Sequence, residues 1–120
     1  MKLFKACTWK NKGRNELVLN NVMVAGNFFD KLFGLIFKKR LKNGEGLLIE
    51  NCRSIHTFGM RYRIDAVYLN GDNMVLAIFQ DIKPFRVTPL IKNASKVLEV
   101  RSKTIKHASL KVNDLVLFVN

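Results

Sequence analysis

The sequence is poor in the residues that cross-link, kink or metal-brace small folds. Among 120 residues it has two cysteines, two prolines, two histidines and one tryptophan. Cys7 and Cys52 allow one disulfide or none, which is too few for a secreted cross-linked scaffold. Cys52 and His56 make a C-x3-H step, but Cys7 and His107 supply no second pair, so the recognised zinc patterns go unfilled. Long apolar runs are missing too. Residues 28–37 are the most apolar stretch, yet they include Asp30 and Lys31 and are too short to span a bilayer. The opening MKLFKACTWKNK lacks the continuous apolar segment of a secretory leader. The expectation is a soluble cytoplasmic protein with reduced thiols, no metal and no cofactor.

Acidic residues are the other shortage. Nine Asp and Glu stand against 21 Lys and Arg, a formal charge of +12. Such a field favours anionic partners: an anionic small molecule or glycan, an anionic membrane surface, or nucleic acid bound non-specifically. The chain has no glycine-rich phosphate loop, RNP motif or helix-turn-helix pattern, so sequence-specific nucleic-acid readout is not expected. Apolar residues make up 48%, enough to bury a core. The length suits one domain over residues 1–120.

The pattern along the chain is mostly that of short strands. Residues 3–9 and 16–25 read as two strands, with Asn20-Asn21 marking a bulge or a tight hairpin. From Asn27 the period changes: Phe28, Leu32, Leu35 and Ile36 recur at helical spacing, and Lys38, Lys39 and Arg40 suit a helix C-terminus. Asn43-Gly44 ends that segment. Residues 46–50 form a short strand. Residues 64–70 and 74–82, joined by Gly71-Asp72-Asn73, give the strongest hairpin signal, and the first arm is apolar on both faces. Residues 83–89 are a loop with two prolines, 95–100 a strand, 104–110 one helical turn and its exit, 111–114 a turn, and 115–119 a last strand. The expected fold is mainly β (α+β). It is a small barrel-like or sandwich-like mixed sheet of about six or seven short strands with one short amphipathic helix.

Chemistry-bearing residues gather in CRSIHTFGMRYRID, residues 52–65. Asp65 alternates with Val67 and Leu69, so its carboxylate is expected to face the interior, where it must be paired or protonated. Arg61, Arg63 and, from the proline loop, Arg86 are the expected partners. Arginine also suits carboxylate or phosphate ligands through its planar fork. Cys52 and His56 have the residue types of a nucleophile and its base, with Asp65 to orient the imidazole, although spacing alone establishes none of that geometry.

With these residues in hand a likeness emerges. The stretch NGEGLLIENCRSIHTFGMRYRIDAVYLNGDNMVLAIFQDIKPFRVTP, followed by ASKVLEV and LKVNDLVLF, resembles domain-of-unknown-function family 192. The resemblance runs from about Val22 to the C-terminus and is most specific over Ser54–Arg61 and Ile64-Asp65. It implies a compact, mainly β fold with a short helix and no established activity. The chain departs from the family pattern in four places. Arg63 stands for a proline, Phe85 for a tryptophan, Arg101-Ser102-Lys103-Thr104 for a Pro-Ala-Gly-Thr-like turn, and Asn113-Asp114 for Gly-Asp.

The functional expectation is a non-enzymatic binding or accessory module with a recess between residues 52–65 and 83–89. In it, Arg61 and Arg86 contact an anionic or polar ligand, His56 and Thr57 orient it, and Asp65 holds an arginine; Cys52, Ser54 and Met60 are additional lining candidates. The alternative is a hydrolase- or transferase-type enzyme using His56 with Asp65 or Cys52. A further alternative is a structural module that docks through a strand edge or the helix onto a protein partner the sequence does not identify.

Overall fold

The hairpin predicted over residues 64–82 organises the sheet. In the computed structural model, which describes residues 3–10, 14–25, 41–57 and 60–119 with side chains placed for 19–25, 41–57 and 60–118, its first arm is a strand with every residue buried. In chain order the elements are β1 (Leu3–Lys10), β2 (Arg14–Ala25), β3 (Glu45–Glu50), β4 (Ile64–Leu69), β5 (Val75–Ile82), β6 (Lys96–Arg101), the short helix α1 (Thr104–Ala108) and β7 (Leu115–Val119). They form one mixed sheet in the order β5-β4-β6-β3-β2-β1-β7. The pairing of β2 with β3 is parallel, and the other strand pairs are antiparallel. A parallel pair needs a crossover connection, and residues 26–44 supply its length. The amphipathic helix expected from Asn27 falls in that segment, outside the described residues.

The Asn20-Asn21 pair is a bulge, not a hairpin. The register with β1 shifts between Phe4↔Val22 and Ala6↔Leu19, so β2 continues through it. The displaced Asn20 and Asn21 N–H groups both donate to the Gly44 carbonyl, at 2.8 and 3.1 Å. Gly44 sits at φ +81, a conformation glycine adopts without strain. This turn therefore ties the bulge to the start of β3.

The sheet curls until its two edges meet at one end. Val75 N–H donates to Asp114 O at 2.8 Å, Asn113 N–H to Val75 O at 2.8 Å, and Val116 N–H to Asn73 O at 3.0 Å. Among the described residues an isolated bridge, Met74 with Leu115, is what joins the edges, and the sheet is not closed into a barrel. One face carries Leu19, Val22, Leu48, Val67, Leu69, Val75, Leu98 and Val100, and α1 plugs it with Ile105. The other face carries Leu47, Ile49, Ile64, Ala66, Tyr68 and Val97, and the loops after β3 and β5 cover it with Ile55, Met60 and Ala94. Covering both faces explains why β4, Asp65 apart, is apolar on both sides. Leu69 is fully buried, and Leu69→Ala should lower unfolding free energy by about 2–5 kcal/mol. Urea denaturation checks this; a midpoint unchanged from wild type would contradict the placement of the core.

Candidate functional site

The loop of residues 51–63 does not stand apart from the proline loop. The two are zipped together. Thr88 holds Ile55 twice, its N–H donating to Ile55 O at 2.9 Å and its hydroxyl accepting from Ile55 N–H at 2.9 Å. Next along, His56 bridges Val87. Thr57 N–H then donates to Arg86 O at 2.8 Å, and Ile91 N–H reaches Arg53 O at 3.1 Å. The fully buried Thr57 completes the seam: its hydroxyl donates to Lys83 O at 2.7 Å and accepts from Arg86 N–H at 2.9 Å. Beneath it the buried Tyr68 hydroxyl bonds the Thr88 hydroxyl, and its ring meets Phe79 edge-on with centroids 5.5 Å apart. Burial pushes the Tyr68 phenol above its ordinary pKa, with the Thr88 bond pulling the other way.

Thr57 is thus sealed inside the seam, where it braces two loops. His56, Arg61 and Arg86 are exposed, and Met60 is buried in the core. Ser54 and Cys52 are half-buried, and the Cys52 thiol donates to Ser54 O at 3.0 Å. Among the described residues, no three of His, Cys, Asp and Glu converge as metal ligands would.

Asp65 is fully buried, as its alternation predicts, but its partners differ from the expected arginines. One carboxylate oxygen accepts from Asp81 N–H at 2.8 Å and the other from Ile105 N–H at 3.1 Å. Backbone donors win because a β-bulge and a helix start both point N–H groups inward here. Opposite Asp65 the register of β5 slips between Ile64↔Ile82 and Ala66↔Phe79, and Asp81 turns left-handed at φ 57. On the other side, Ile105 lies in the first turn of α1, where helix N–H groups lack intrahelical acceptors. Burial nevertheless pushes the Asp65 carboxyl above the ordinary carboxylate range, outweighing the pull of the N–H donors.

The arginine bridge falls instead to Asp81. Its side chain points outward, where it accepts from Arg63 Nη1 at 2.9 Å and from the Ser102 hydroxyl at 2.6 Å. Those two contacts, the Ser102 bond first, hold its carboxyl below the ordinary range. Asp81 and Asp65 together thereby anchor residues 101–105 to the hairpin.

The anchored turn borders a recess of about 490 Å³ lined by Asn43, Gly44, Arg101, Ser102, Lys103, Thr104, His107 and Ala108. A second hollow of about 270 Å³ shares Arg101, Ser102 and Lys103 and extends to Tyr62, Arg63 and Asp81. Burial raises the Tyr62 phenol there, with the charge of the fully buried Glu99 adding to it, while the Leu41 N–H bond at 3.1 Å opposes them. Lys103 occupies a left-handed conformation at φ 76 and is the N-cap of α1. A bulky residue there is strained where glycine would not be.

The family model for DUF192 (Uncharacterized ACR) matches residues 8–118. The chain belongs to domain-of-unknown-function family 192. Two crystal structures share the DUF192 chain's fold. One is a proposed transcription regulator from Sinorhizobium meliloti, with a TM-score of 0.79 at 17% identity, covering 98% of this chain and 94% of that one. The other is a protein of unknown function from Novosphingobium aromaticivorans, with a TM-score of 0.79 at 16% identity, covering 96% and 84%. At such identities the likeness is one of fold. No curated protein matches this DUF192 chain.

Sequence reasoning missed the recess. Its cations, Arg101 and Lys103, come from a turn that carries no motif, and residues 43–44 lie far from them along the chain. The one available signal was that Arg101 and Lys103 depart from the DUF192 pattern. Two measurements test the anchoring. Asp65→Asn puts an amide N–H₂ against a backbone donor and should cost about 1–3 kcal/mol in urea denaturation. The native carboxyl keeps its proton to higher pH than the unfolded one. Its contribution to stability should therefore fall as pH rises through that window, narrowing the gap between wild type and Asp65→Asn. A gap that widens with pH would contradict the dominance of burial. Thr57→Val removes both hydroxyl bonds and should cost about 1–3 kcal/mol, with faster proteolysis within residues 83–91; unchanged proteolysis would mean the seam does not depend on Thr57.

Proposed function

We propose that this DUF192 protein is a non-enzymatic binding module for a small anion carrying phosphate or carboxylate groups, seated in the recess at residues 101–108. The observation that carries this reading is the lining. Arg101, Lys103 and His107 border one hollow with the hydroxyl-bearing Ser102 and Thr104 and the amide of Asn43. No carboxylate lines it among the described residues; Asp81 lies in the adjoining hollow and is occupied by Arg63 and Ser102. Arginine supplies a planar fork for two anion oxygens, and lysine supplies a mobile point charge.

The cost of placing Lys103 at positive φ supports the same reading, since strain at a residue is often retained where the side chain is used. The arrangement is also preorganised. The turn is fixed by Asp65 and Asp81 before any ligand arrives, which lowers the ordering cost of binding. The enzyme reading finds less support. Both Asp65 oxygens are taken up by backbone N–H groups, and the Cys52 thiol faces the Ser54 carbonyl.

Titration with inorganic phosphate, pyrophosphate and a nucleoside diphosphate, followed by backbone amide NMR shifts, tests the proposal. Shifts at residues 101–107 and at Asn43 and Gly44 are expected. The Arg101→Gln, Lys103→Gln double variant should weaken binding by about 10-fold or more, because each charge-assisted bond contributes about 1.5–3 kcal/mol. Unmoved 101–107 amides would overturn it, and shifts confined to His56, Arg61 and Arg86 would move the site to the zipped loops.

A further inference from the structure

A separate feature lies on the proline loop. Phe85, Val87 and Leu90 are 67%, 65% and 70% exposed, high values for large apolar side chains. They are not the tips of a loose loop. Phe85 N–H donates to Thr57 O at 3.2 Å, and the backbone bonds at Arg86, Thr88 and Ile91 hold the segment down between them. Phe85 is moreover held at φ 60, a left-handed conformation unfavourable for an aromatic residue. The chain thus keeps three apolar side chains turned toward solvent on a fixed backbone.

The loops that carry the ridge are rich in cations. Residues 51–63 and 83–95, which make up the zipped loops, contain Arg53, Arg61, Arg63, Lys83, Arg86 and Lys92 and no Asp or Glu, and of these Arg63 is paired with Asp81 at the edge of β5. We propose that this ridge docks onto an anionic lipid surface. Phe85, Val87 and Leu90 enter the boundary between headgroups and acyl chains, and Arg53, Lys83, Arg86 and Lys92 meet the headgroup phosphates.

Charge complementarity selects the occupant. Nucleic acid would satisfy the arginines but offers no apolar volume for Val87 and Leu90. An acidic protein would need a pocket matched to three projecting side chains. A second copy of this chain would set cation against cation. A bilayer boundary accepts apolar side chains and cations together without shape matching. Attraction to anionic lipid adds to burial of apolar area in such docking, so both halves of the ridge are used. Thr57 and Thr88 then acquire a purpose beyond packing: they hold the ridge in its inserted shape in advance. This docking does not rest on the anion recess, which is lined by other residues.

Co-sedimentation of the full chain with vesicles of phosphatidylcholine, and of phosphatidylcholine mixed with phosphatidylglycerol, is the test. Wild type should pellet with the mixed vesicles and remain in solution with the neutral ones. Phe85→Asn with Leu90→Ser, changes at exposed positions of which asparagine suits the left-handed one, should lower partitioning by about 10-fold with unchanged melting temperature. Arg86→Gln with Lys92→Gln should lower it by a similar factor and leave the remaining binding less sensitive to salt. Failure of wild type to pellet with either vesicle would overturn the proposal. Retained binding in the Phe85/Leu90 variant would also overturn it, leaving general electrostatic attraction. So would a wild-type dimer in sedimentation velocity that the same variant abolishes, because the ridge would then be a contact between copies. Loss of oligonucleotide binding in the Phe85/Leu90 variant, with vesicle binding intact, would assign the ridge to nucleic acid instead.

Discussion

The buried carboxylate of Asp65 is the constraint on which the arrangement of this protein depends. It sits in β4, a strand with every residue buried, and accepts a backbone N–H from each of two otherwise separate segments. One is the bulge near the end of β5, and the other is the first turn of α1. A carboxylate left bare in that setting costs several kcal/mol, so bulge and helix start must both be in place for β4 to be buried. The dependence runs both ways. The bulge N–H at Asp81 and the first-turn N–H at Ile105 would themselves lose their acceptor without Asp65.

Consequences spread outward from that contact. Turning Asp81 left-handed aims its side chain at solvent, where it gathers Arg63 and Ser102. Ser102 leads into Lys103, whose left-handed backbone starts the helix that places Ile105 in the core and His107 beside the recess. One buried carboxyl group thus positions the exposed cations Arg101 and Lys103 through backbone contacts, not by pairing with their charges. The seam between residues 53–57 and 86–91 is a second brace, built on threonine hydroxyls in place of a carboxylate. It covers the opposite face of the sheet and carries the exposed apolar ridge. The two candidate surfaces are therefore supported independently, each by a buried polar group whose own bonds are made to backbone.

Three of the left-handed residues, Asp81, Phe85 and Lys103, fall at these supports. Of the non-glycine residues at positive φ, four are asparagines, which tolerate that region through short side-chain bonds. Asn70 shows a related local economy, its side chain accepting from Asp72 and Met74 N–H groups to close the hairpin turn. Phe85 and Lys103 have no such excuse. One heads the apolar ridge and the other lines the basic recess.

The sequence by itself determined the strands, the hairpin, the short helix after β6 and the burial of Asp65, because these follow from two-residue alternation and local turn chemistry. It also carried enough of the signature around His56 and Asp65 to place the chain in its family. What it could not determine was who meets whom. The expectation that arginines hold Asp65 failed because nearness along the chain says nothing of where backbone N–H groups from β5 and α1 point. Likewise the two signature loops meet in a hydrogen-bonded seam, and a hollow that no motif announces lies beside residues 101–108. Both outcomes depend on a register slip and on pairings between residues tens of positions apart. Those are decided by which packing buries both faces of the sheet and satisfies the most buried polar groups at once, a property of the folded whole.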